Sequence, residues 1–155
     1  MENSDLVQLA DAVAVEAHRG QTDKLGVDYI EHPRAVSRRV DSERPDLVAA
    51  ALLHDVIEDS EFTAADLLDR GIPQSVIDVV HKVTRRGDQS PDDYYAEISR
   101  DPDAKAVKLA DLGENTDRRR MGQLPAETQA KLRTKYTKAF RALGRDDLAD
   151  ELAAR

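Results

Sequence analysis

The 155-residue chain has no cysteine and no tryptophan, and aromatic residues make up only 4% of it. Without thiols it forms no disulfide, and any bound metal would have imidazole and carboxylate ligands. With so few rings, aliphatic side chains must build the core. No apolar run approaches the roughly 20 residues of a membrane-spanning helix. The first residues, MENSDLVQLADAV, lack the basic start and apolar centre of a secretory signal. A cytoplasmic location is therefore the expectation. Basic residues are in the minority too: 23 Lys and Arg against 31 Asp and Glu give a formal charge of −8. Such a balance argues against broad electrostatic binding of nucleic acid or of an anionic membrane. It leaves room for a small phosphorylated substrate held by a metal and a few local cations.

What is present points to packed helices. Apolar residues are 40% and charged residues 35% of the chain, as in a soluble globular protein. A single domain over residues 1–155 is expected at this length. Leu6, Leu9, Ala10, Val13 and Ala17 recur at helical spacing between Ser4 and Arg19. Gln21 to Tyr29 reads as a polar connection. Further helices are expected at Glu31–Val40, from Pro45 through the segment LVAAALLHDVIED, and from Thr63-Ala-Ala-Asp66, a capping-box pattern. Others are expected from Pro73 to about Thr84, at Asp92–Arg100 and, as one longer helix, from Asp103 to about Met121. Ala126–Leu143 is amphipathic and Asp146–Ala153 closes the series. No segment alternates like a strand, so the fold class is all-α.

The chemistry concentrates at one end of an apolar helix. Leu47, Val48, Ala51, Leu52 and Val56 read as buried, yet His54, Asp55, Glu58 and Asp59 follow within two turns. Carboxylates are rarely buried unless paired or bound to a cation. Glu58-Asp59 reads either as a solvated helix end or as acids held by a cation, since carboxylates at a C-terminus oppose the helix dipole. His32, before Pro33, and Asp111, within AVKLADLGEN, lie on other helices. Taken alone, His32 is a helix-start surface residue and Asp111 a partner for Lys108. Together with His54 and Asp55 they supply two imidazoles and two carboxylates. That set suits Mn²⁺, Fe²⁺, Co²⁺, Ni²⁺ or Zn²⁺.

Five blocks carry a family resemblance: AHRGQ (17–21), KLGVDYIEHP (24–33), AALLHDVIEDS (50–60) with Thr63, KVT (82–84) and VKLADLGEN (107–115). In this order and spacing the chain resembles the HD-domain metal-dependent phosphohydrolases, most closely the RelA/SpoT-type alarmone hydrolase domains and their small stand-alone homologues. The resemblance implies a compact helical bundle with one divalent metal, manganese, held by His32, His54, Asp55 and Asp111. It implies that Glu58 and Asp59 assist the hydrolytic water, and that Lys24 and Asn115 face the substrate. Tyr29 stacks on a base or ribose or else belongs to the core, as does Tyr136. His18 supports the site from the first helix. His81, beside Val79, Val80 and Val83, reads as packed or partly exposed, not as a ligand. Arg85-Arg86 and Arg118 to Arg120 either hold phosphate or complement helix ends.

The implied activity is hydrolysis of a phosphate or pyrophosphate ester of a nucleotide-like substrate, such as a (p)ppGpp-type 3′-pyrophosphate. Two other readings are a nucleoside 5′-monophosphatase and a regulatory module that binds nucleotide or metal without turnover. The chain departs from the family at several places. Asp23 stands where an arginine is common, Asp28 brings a second acid beside the expected pocket, and Leu112 replaces another arginine. Asp117 and Arg118 to Arg120 follow Asn115 in place of the usual run. Ala126–Leu143 packs within the chain or forms a homodimer.

Overall fold

A computed structural model describes residues 3–155, with side chains from residue 5. Its described residues are helical throughout, apart from loops and one isolated antiparallel bridge between Thr22 and Asp28. In chain order the helices are α1 (Asn3–Ala17), α2 (Glu31–Ser37), α3 (Pro45–Leu53), α4 (Val56–Asp59), α5 (Ala64–Asp69) and α6 (Gln74–Val83). They continue with α7 (Pro91–Ser99), α8 (Pro102–Asn115), α9 (Arg118–Met121), α10 (Ala126–Ala142) and α11 (Asp146–Ala153).

The centre of the bundle is α3. Leu47, Ala49, Ala50, Ala51, Leu52 and Leu53 are all buried. A helix apolar on nearly every side has to be surrounded, and α1, α2, α6 and α8 all pack on it. Its alanines permit that crowding, because they let neighbouring backbones approach. Val13 and Ala14 of α1, Val76 and Val80 of α6, and Val107 of α8 fill the same core. At the far end, α10 packs on α7 and α8 and pairs with α11, and Phe140, Leu143 and Leu152 join the same core.

Local chemistry sets the helix starts. The expected capping box is present: Thr63 Oγ1 accepts the Asp66 N–H at 3.1 Å, and Asp66 Oδ2 accepts the Thr63 N–H at 2.8 Å. Ser90 caps α7 and Asp101 caps α8, each followed by proline in the first turn.

Two helices are shorter than their sequence suggests. The helix expected from Asp103 to Met121 is two. The Thr116 hydroxyl donates back to the Leu112 carbonyl at 2.8 Å, and α8 stops. Asp117 then starts α9 by accepting the N–H groups of Arg119 and Arg120. The segment from Pro45 likewise breaks at His54-Asp55, between α3 and α4. Of the two readings of His81, packed or partly exposed, the structure gives exposure: its side chain faces away from the buried valines of α6.

Candidate metal centre

The break after Leu53 turns His54 and Asp55 off the helix and toward α2 and α8. His54 Nδ1 lies 2.6 Å from the Ala51 carbonyl, which fixes the proton on Nδ1 and leaves the Nε2 lone pair facing inward. That Nε2 is buried without a hydrogen-bond partner. It stands 3.0 Å from Asp55 Oδ2 and 3.4 Å from Asp111 Oδ1. His32, at the start of α2, brings its Nε2 to 2.9 Å from Asp111 Oδ1 and 3.9 Å from Asp55 Oδ2. Donor atoms of His32, His54 and Asp55 all lie within 4.8 Å of one another. Four residues from α2, the α3–α4 turn and α8 therefore converge. A lone pair set against two carboxylates is unfavourable unless positive charge lies between them. The donor types fit a divalent cation of the manganese-to-zinc series.

The electrostatics agree. Burial opposes charge on His54, but the Asp55 and Asp111 carboxylates outweigh it and raise the imidazole well above its ordinary range. Burial also opposes ionisation of Asp111, yet Lys108, His54 and His32 hold it well below the usual carboxylate range. Asp55 is lowered in the same sense, with burial opposed by His54 and by the Tyr29 hydroxyl, which donates to Asp55 Oδ2. The pocket thus attracts positive charge, of which a proton is the smallest example.

The remaining candidates surround this cluster. A chamber of about 390 Å³ opens on it, lined by Lys24, Tyr29, Glu58, Asp59, Asn115 and Tyr136 among others. Glu58 and Asp59 are exposed on its rim. Lost hydration in the chamber mouth raises both carboxyls, and the Asp55 charge adds to the effect. Glu58 Oε1 accepts the Arg85 N–H at 3.1 Å, which tethers α4 to the loop after α6. Asn115 Nδ2 donates to Asp111 Oδ1 at 3.2 Å.

His18 is buried behind the chamber. Its Nδ1 lies 2.9 Å from Gln21 Oε1, and Gln21 Nε2 donates to the Asp59 carbonyl at 2.8 Å. The His18 ring sits 4.8 Å from Tyr29, so it supports both the aromatic wall and the α4 end.

Several residues stand elsewhere than their types suggest. Asp28 is exposed and outside the chamber lining. Neither Arg85 nor Arg86 lines the chamber; Arg86 faces Glu97 at 3.6 Å. Arg118 pairs with Glu151 at 2.8 Å. Lys108, which the sequence reading gave only as a pairing partner, belongs to the chamber as well. It is largely buried in the chamber wall, 3.2 Å from Asp111 Oδ2 and 5.5 Å from the Tyr94 ring centre. A lysine three residues before an aspartate, on an apolar helix, was the available signal.

No family model matches the chain. A guanosine-3′,5′-bis(diphosphate) 3′-pyrophosphohydrolase of Vibrio cholerae is 48% identical over 75 residues, covering 47% of this chain and 10% of that protein. The bifunctional (p)ppGpp synthase/hydrolase SpoT of Escherichia coli is 41% identical over a stretch of the same length. A GTP pyrophosphokinase of Streptomyces coelicolor is 34% identical over 143 residues, covering 84% of this chain and 17% of that protein. The chain thus spans from a tenth to about a sixth of the length of these relatives. Among solved structures, a metazoan SpoT orthologue described as hydrolysing ppGpp superposes with a TM-score of 0.75. It is 22% identical and covers 95% of this chain and 93% of that one. Fold and motif order together define the class, a helical bundle of the HD-domain type. Within that class the chain is an alarmone-hydrolase-like protein, related in sequence to the RelA/SpoT proteins.

Proposed function

We propose that the protein is a metal-dependent phosphohydrolase of nucleotide-like substrates, with a (p)ppGpp-type 3′-pyrophosphate as the leading substrate. One observation carries the reading. The unpartnered Nε2 of buried His54 meets His32, Asp55 and Asp111 at the floor of a chamber whose rim bears Glu58 and Asp59. His32, His54, Asp55 and Asp111 would hold one divalent cation, and Mn²⁺ is the choice supported by the family resemblance. Bound there, the cation supplies Lewis acidity toward phosphate and lowers the pKa of water.

The chain's own groups do the rest. Glu58 and Asp59 orient a water and accept its proton as its oxygen attacks phosphorus. For a 3′-pyrophosphate, the bond from phosphorus to the 3′ oxygen breaks and that oxygen takes up a proton from solvent, giving pyrophosphate and a 3′ hydroxyl. Lys108 faces the chamber beside Asp111 and offsets phosphate charge. Lys24 at the mouth and Asn115 on α8 bind substrate polar groups, and Tyr29 packs against its base or ribose. His18 and Gln21 keep Tyr29 and α4 in place. The formal charge of −8 favours a small substrate over nucleic acid.

The test uses purified protein with Mn²⁺ and a panel containing guanosine 3′,5′-bis(diphosphate) and nucleoside 5′-monophosphates. Pyrophosphate released from the first supports the proposal, and Asp55→Ala abolishes that release. Phosphate released from monophosphates alone would transfer the assignment to a 5′-monophosphatase. Turnover that survives Asp55→Ala would refute the site.

A further inference from the structure

The loop from Gln21 to Tyr29 carries an acid that faces inward. The Asp23 side chain is only 8% exposed, and each of its oxygens is occupied. Oδ1 accepts the N–H groups of Leu25 and Val27 at 2.8 and 3.0 Å. Oδ2 accepts Arg120 Nη1 at 3.2 Å. The Asp23 N–H donates to the Val27 carbonyl and the Gly26 N–H to the Asp23 carbonyl, so one carboxylate ties the whole turn together. Gly26 has φ +81°, which lets the backbone close around it.

Arg120 comes from the other side of the chamber. Its helix, α9, is anchored by buried Met121 and by Asp117, which caps it and also accepts from Arg39. The guanidinium lines the chamber together with Tyr29, Asp55, Glu58 and Asp59. Its side chain keeps 24% exposure. Of its five N–H donors, one is taken by Asp23, and no second side-chain bond forms among the described residues. Asp23 is therefore spent as an anion, and its partner is a held cation with donors to spare. A guanidinium fixed in this way loses little freedom on meeting phosphate.

We propose that Arg120 is a substrate-binding residue that contacts the phosphate chain of the nucleotide seated at the metal centre, and that Asp23 positions it. Asp23 thereby joins the loop to α9 and sets the width of the chamber mouth. The proposal rests on the phosphohydrolase reading and extends it to a residue pair outside the metal cluster.

The experiment compares wild type, Asp23→Asn, Arg120→Ala, Arg120→Lys and the double variant Asp23→Asn/Arg120→Ala. All are assayed as the full chain with Mn²⁺ and guanosine 3′,5′-bis(diphosphate). Calorimetric binding of the same nucleotide to the metal-free protein is measured in parallel. Arg120→Ala should raise KM about tenfold, with a much smaller change in kcat, and Arg120→Lys should recover part of the loss. Asp23→Asn should raise KM about threefold alone and have no further effect in the Arg120→Ala background, because it acts through that residue. Unchanged KM and Kd in Arg120→Ala would overturn the proposal. Full additivity of the two substitutions would overturn the positioning role. If the wild type binds the nucleotide without cleaving it, the hydrolase reading fails while the Kd series still decides the role of Arg120. Absence of wild-type turnover with Mn²⁺ together with absence of wild-type binding overturns both.

Discussion

The two ends of α8 use the same residue types in opposite ways. At its N-terminus both acids have partners. Asp101 caps the helix and accepts Lys82 Nζ at 2.6 Å, and Arg44 bridges Asp46 and Asp103. All these groups reach solvent, where an ion pair contributes modestly. At the C-terminal half, Asp111 is buried, faces two imidazoles and one lysine, and lies across from an imidazole nitrogen with no hydrogen bond. The first end is complete by itself. The second becomes favourable only when positive charge enters. Incomplete pairing of buried groups, rather than the number of acids, separates a chemical site from a structural one.

Breaking this comparison begins at the shared scaffold. Leu53, fully buried in α3, lies directly before His54. Leu53→Ala should cost about 2–5 kcal/mol of stability, measured by urea unfolding, and should weaken Mn²⁺ binding because the turn loses its floor. An unaltered metal affinity would show that the cluster is held by its own contacts. Next in size is metal loading. Mn²⁺ at a hundred times its Kd should stabilise the fold by about 2.7 kcal/mol, read as a rise in Tm that chelation reverses and Asp55→Ala removes. No rise would show that the orphaned nitrogen has another purpose.

The smallest effect belongs to the completed end. Asp101→Asn keeps a capping side chain but removes the charge facing Lys82, and should cost roughly 0.2–1 kcal/mol. Its pH dependence has a definite sign. The Lys82 hydrogen bond, opposed by partial burial, lowers the Asp101 carboxyl below its ordinary 3.8. Stability from the pair is therefore present above that value and lost as pH falls through the folded-state pKa. Urea midpoints of wild type and Asp101→Asn should differ at pH 7 and converge below about pH 4.

Much of the fold was legible along the chain. Thr63-Ala-Ala-Asp66, the prolines in first turns and the apolar saturation of α3 mark elements that the structure reproduces within a few residues. The breaks at His54-Asp55 and at Thr116-Asp117 were not legible as breaks. Both segments keep good helix formers on either side, and side-chain bonds to backbone decide where the ladder stops. Asp23 shows the same limit. By type it reads as an acid that repels phosphate, and in the fold it is a buried partner of Arg120, a residue 97 positions away.

What the sequence determined by itself was the all-helical class, the starts of the helices marked by a cap or a proline, and the inventory of ligand types. Capping, periodicity and side-chain chemistry act over a few residues and can be read in order. What only the tertiary structure decided was which atoms face each other. The approach of His32 and Asp111 to the His54-Asp55 turn, the buried Lys108 and the orphaned His54 nitrogen depend on helices brought together by the core. Packing fixes those distances, and distance decides whether buried charges attract a cation or cancel one another.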